Sequence, residues 1–96
     1  MYLLNVSYTQ APEKVAVHAP SHMEWLKKHF EAGHFLFAGP KKSGLGGIIA
    51  ARSMDKAALQ SLLAEDSFVR ADVAEYQIAD IDCRVADPQF DALKGV

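Results

Sequence analysis

The hydrophobic pattern of this chain alternates between the period of a strand and that of a helix, and the order in which it does so leaves few folds open. Tyr2, Leu4, Val6 and Tyr8 fall on one face of an extended segment and Leu3, Asn5 and Ser7 on the other, the period-two signature of a half-buried strand. A polar stretch through Pro12 follows, and some helical structure is expected before Pro20. Ser21 with Glu24 three residues later, just ahead of Trp25-Leu26, reads as a capping box. Met23, Leu26 and Phe30 then recur at helical spacing to about Ala32, and Gly33 stands where a helix ends in a left-handed residue.

Phe35-Leu36-Phe37-Ala38 reads as a second strand ended by Gly39-Pro40, and Gly47 to Ala51 as a third, the two pairing as a hairpin across the loop Lys41 to Gly46. Ser53 is placed to cap a second helix carrying Ala58, Leu59, Leu62 and Leu63, before a turn at Glu65-Asp66-Ser67. A short segment around Phe68-Val69-Arg70 leads to a last strand within Val73 to Cys83, with Tyr76 and Ile78 on a shared face. The order βαββαβ is that of the split βαβ, a ferredoxin-like α+β fold in which two helices cover one face of a four-stranded antiparallel sheet. The second strand is then an edge, yet Phe35 and Phe37 point one way and Leu36 and Ala38 the other, so both of its faces are expected to be covered. A second subunit packing sheet to sheet is the simplest cover for the open apolar face, which predicts a homodimer.

Residues 1–96 make one domain, with a core over 1–83 and a tail over 84–96, and no repeat or linker interrupts it. A chain this short buries only about 60 to 65% of the surface its unfolded form exposes. Ten basic against twelve acidic residues give a formal charge of -2 with no run of either sign, which argues against a nucleic-acid partner. Cys83 is the single cysteine, which excludes an internal disulfide or thiolate-rich metal site and points to a reducing, cytoplasmic compartment. The N-terminus carries no export signal and no apolar run approaches the ~20 residues of a bilayer span, so no membrane partner is expected.

His18, His22, His29 and His34 lie close together in the chain, and His18 with His22 has the i,i+4 spacing of a helical metal site. No cysteine lies nearby and Pro20 intervenes, so neither metal nor cofactor is expected. His22 precedes Trp25 by three residues and Leu26 by four, which turns it toward the packed side of its helix; the other three histidines are expected to be more exposed. An inward histidine is commonly a core residue bonded to backbone, and an Asp after a helix, such as Asp66, commonly starts the next turn. Trp25 and Phe68 read equally as core or as the lining of a pocket for a cyclic ligand. Lys41 and Lys42 beside Gly44, Gly46 and Gly47 read as a solvated hairpin tip, Ser43 as the one loop hydroxyl to watch, and Cys83 as a small buried hydrophobe.

The strand YLLNVSY, the helical His22-Met23-Glu24-Trp25-Leu26, Gly33, the strand end Ala38-Gly39-Pro40 and Asp66-Ser67-Phe68 after the second helix together resemble the YciI-like, or YCII-related, family over about residues 1–83. The resemblance implies a dimeric α+β barrel whose protomers each hold a histidine and an aspartate as an active-site pair, here His22 and Asp66. Family members often carry proline after that aspartate, and Ser67 in its place implies a less rigid turn. Characterised relatives include a lyase that removes hydrogen chloride from a chlorinated hydroxyquinol, and barrels of similar architecture isomerise lactones. A carboxylate beside an imidazole favours the protonated ring and fixes its tautomer, which suits general acid-base chemistry. The leading expectation is thus proton transfer or elimination by His22, oriented by Asp66, on a small cyclic or aromatic substrate held near Trp25, Pro40, Ser43 and Phe68. The alternatives are a non-catalytic module that binds a small molecule in the same pocket, and an interaction protein whose working surface is the sheet.

Overall fold

In a computed structural model describing residues 1–96, four antiparallel strands form one sheet in the order β2-β3-β1-β4. They are β1 (Tyr2–Tyr8), β2 (Phe35–Pro40), β3 (Gly46–Ala51) and β4 (Ala74–Asp80). The helices are α1 (Pro12–Ala16), α2 (Ala19–Glu31), α3 (Lys56–Ala64) and the single turn α4 (Ser67–Arg70), followed by a 3₁₀ segment, Pro88–Leu93, in the tail. This is the ferredoxin-like α+β arrangement expected, with β1 and β3 at the centre. No helix is long and apolar enough to cross a membrane.

The helix starts differ from those expected. Pro20 sits in the first turn of α2, where its missing N–H costs nothing, so the helix begins at Ala19 and Ser21 lies inside it rather than at its cap. Ser53 does not cap α3, which begins after Asp55. Its hydroxyl instead accepts from the Met1 ammonium at 3.0 Å and donates to the Val96 carbonyl at 3.1 Å, joining the two chain ends. Gly33 does follow α2 with φ +80°, its N–H on the Phe30 carbonyl. Cys83 lies beyond the end of β4 and is half-buried rather than buried.

Directly paired residues share a sheet face, so the register sorts the side chains. Tyr2, Leu4 and Val6 face the helices and are buried with Trp25 of α2, Leu59, Leu62 and Leu63 of α3, and Phe68 of α4. The indole N–H of Trp25 donates to the Leu62 carbonyl at 3.0 Å, which fixes α2 against α3. Leu3 and Asn5 face the other way, where no helix covers the sheet. A bulge between Phe35 and Phe37 pairs the first with Ala51 and the second with Ala50, so the two phenylalanines lie on opposite faces, contrary to simple alternation. Phe35 is 4% exposed and Phe37 47%, so within one chain only one face of β2 is covered.

Candidate active site

Asp66 is the N-cap of α4, and its Oδ1 accepts the Phe68 N–H at 3.1 Å. That cap places the carboxylate in the core, where it is fully buried. A carboxylate survives there only with donors around it. His22 Nδ1 lies 2.7 Å from Oδ1, and the Tyr76 hydroxyl donates to Oδ2 at 2.6 Å. Burial first, then the Asp66 charge and the hydrogen bond to it, push the Tyr76 phenol far above its ordinary value, so it remains a donor.

The His22 ring projects from α2 and stacks on Phe68 with centroids 3.9 Å apart and planes 6° from parallel. With Asp66 accepting at Nδ1, the neutral ring carries its proton on that nitrogen. Nε2 then has a free lone pair and no partner in the chain. The hydrogen bond and the stacking together fix the ring's position and its tautomer, which is the preorganisation that a proton-transfer group requires.

His22 lies in the wall of a cavity of about 500 Å³ between α2 and the β2–β3 end of the sheet. Its walls are largely apolar, with Tyr8, Leu26, Phe30, Pro40 and Phe68 among them. Gly46 forms part of the lining with φ +150°, and a Cβ there would collide with the Val6 carbonyl, so only glycine fits. A second depression of about 480 Å³, near Lys14, His18 and Asp72, is shallow and contains neither member of the pair.

A family model described as the YCII-related domain matches residues 1–82. The chain belongs to the YCII-related family. Among solved structures, the YCII-related chain is similar to 5-chloro-2-hydroxyhydroquinone dehydrochlorinase from Burkholderia phenoliruptrix AC1100, in complex with 2,5-dihydroxybenzoquinone, with a TM-score of 0.70 at 13% identity. The match covers 84% of this chain and 93% of that one, and it establishes a common fold. No curated protein matches the chain in sequence.

In this YCII-related domain His22, Pro40 and Phe68 line one cavity, with Asp66 directly behind His22. Trp25 and Ser43 do not line it. Trp25 is 5% exposed in the core, turned there by the helical rotation that separates it from His22, and Ser43 accepts the Leu45 N–H at the hairpin tip. Sequence reasoning missed the role of Tyr76, although its strand register opposite the inward Val6 is the signal that places it toward Asp66. Ser67, where a proline was noted as more usual, donates its hydroxyl to the His18 carbonyl at 3.1 Å and ties α4 to the start of α2.

His29 is a further correction to the YCII-related chain's expected surface, being 4% exposed rather than more exposed than His22. Its Nε2 lies 3.1 Å from Glu65 Oε1 and its Nδ1 2.9 Å from His34 Nδ1. Hydrogen bonds from Lys28 and His29 hold the Glu65 carboxyl below its usual range. The group is an ion-paired helix anchor, and nowhere do three His, Cys, Asp or Glu side chains converge as a metal site.

Proposed function

We propose that this YCII-related domain is a small-molecule enzyme in which His22 Nε2 moves a proton and Asp66 orients the ring. The observation that carries the reading is the 2.7 Å contact between His22 Nδ1 and a fully buried carboxylate, on the wall of an apolar cavity. In an elimination, Nε2 takes a proton from a substrate carbon, the C–H electron pair becomes the new double bond, and the leaving group departs with its own pair. In an isomerisation the same nitrogen returns the proton at a different atom. Asp66 offsets the imidazolium charge that forms in either case. A fold neighbour named as a dehydrochlorinase of a chlorinated hydroxyhydroquinone supports the elimination form and a small cyclic substrate.

The same reading includes a second copy of the chain on the open sheet face. Asn5 Oδ1 is buried there without a donor, and Phe37 stands exposed on the same face, two strands away on edge strand β2. A partner sheet would offer both a donor and apolar cover. The lone Cys83 fits a reducing, cytoplasmic setting.

The test is carbon-bound hydrogen exchange, followed by NMR in D₂O with a panel of hydroxylated aromatics and cyclic ketones, since exchange reports proton abstraction whatever the product. The wild type is expected to catalyse exchange in at least one member, and His22→Ala to lose about 10² to 10⁴ of that rate. A fully active His22→Ala variant would sink the assignment. Because the cavity is mainly apolar, a non-catalytic binding module is the second reading, and saturable binding across the panel with no exchange would favour it.

A further inference from the structure

Along α2 the cavity is lined by Ala19, His22, Met23, Leu26, Lys27 and Phe30. At about 100° per residue these fall on one arc of about 140°, with His22 at one end, Lys27 at the other and the apolar side chains between them. Trp25 and His29 lie beyond the His22 end, in the core. Lys27 therefore marks the solvent margin of the cavity, about 7.5 Å further along the helix axis than His22.

Lys27 is the cavity's one lysine or arginine, and no aspartate or glutamate lines it. Glu24 and Glu31 stand three and four residues away on the same helix, within reach of an ion pair, yet neither pairs with Lys27. Two other lysines are engaged: Lys28, next to it in the chain, binds Glu65 at 2.9 Å, and Lys41, after the end of β2, donates to Ser7 at 3.3 Å. A cation without a partner at the mouth of an apolar cleft presents a ring-sized space ending in a positive charge, the arrangement that fixes a ligand's orientation with few polar groups.

We propose that Lys27 recognises an anionic substituent, a carboxylate or phenolate oxygen, on a small aromatic or cyclic ligand whose ring occupies the cavity. This rests on reading the cavity as the small-molecule site. Lys27 is a specificity residue rather than a catalytic one: it anchors the charged end and presents the opposite end of the ligand to His22. Low-dielectric walls strengthen the pairing relative to open water.

Benzoate and benzamide, alike in ring and size but different in charge, test this by NMR titration of the wild type, Lys27→Gln and Lys27→Arg. Benzoate is expected to bind the wild type about threefold or more tightly than benzamide at low salt. The preference should vanish in Lys27→Gln and persist in Lys27→Arg. Equal binding of the two probes in the wild type, or a preference that survives Lys27→Gln, would overturn the role of Lys27 while leaving the cavity standing as a ring-binding site. If neither probe perturbs the signals of Met23, Phe30 and Phe68, the reading of the cavity falls and this inference with it.

Discussion

Asp66 shows how one residue can serve the fold and the site together. Its Oδ1 caps α4 through the Phe68 N–H and holds His22, while Oδ2 is held by Tyr76. The Tyr76 hydroxyl is therefore a positioning group whose removal leaves a buried acceptor without a partner. Tyr76→Phe keeps the ring and deletes the donor, so it is expected to cost about 1 to 3 kcal/mol. Urea unfolding checks this: the midpoint should fall with the slope unchanged, and an unchanged midpoint would show that Oδ2 has another partner. At this scale the sequence was informative about His22 because helical spacing from Trp25 and Leu26 turns it inward. Asp66 was legible as a site residue only through family resemblance, since its partners lie 44 and 10 positions away. His29 follows Trp25 by four residues and packs on it and on Phe35, so the helical spacing that turns His22 inward also applied to it; what spacing does not reveal is its pairing with Glu65, 36 positions away.

At the scale of elements, every strand and both main helices could be read from hydrophobic period, and the order of those periods determined the sheet. Helix starts were less legible. A serine followed by glutamate has the pattern of a cap, but Pro20 stabilises an earlier first turn, and Ser53 finds a stronger partner in the Met1 ammonium. The bulge in β2 was illegible for a related reason. Phe35 and Phe37 alternate perfectly in sequence, and only pairing with β3 shifts one of them to the opposite face. That shift has a functional consequence: it sends Phe35 into the core beside Trp25, at 5.2 Å between ring centroids, and leaves Phe37 on the uncovered side. Ser67 is another case of local geometry decided from afar, since its bond to the His18 carbonyl anchors the turn that carries Asp66.

Across the whole molecule, the sheet has one face packed by helices and one face without cover, and the cavity opens at the β2–β3 end. The uncovered side carries the two features that a partner would satisfy, the orphaned Asn5 Oδ1 and exposed Phe37. The chain is therefore expected to sediment as a dimer, and Phe37→Asp to shift it to monomer by placing a charge in the apolar contact. A wild type that stays monomeric over the accessible concentration range would refute self-association on this face. The site depends on the global fold in the same way, because α2, α4 and β4 each contribute one member of the His22, Asp66 and Tyr76 chain. The measurement that tests the central claim most directly is a long-range ¹H–¹⁵N NMR spectrum of the histidine rings, with the His22 signals assigned from their loss in His22→Gln. In the neutral ring the account requires the proton on Nδ1 and a bare Nε2; a proton on Nε2 instead would mean that Asp66 does not hold this ring and that Nε2 cannot act as the base.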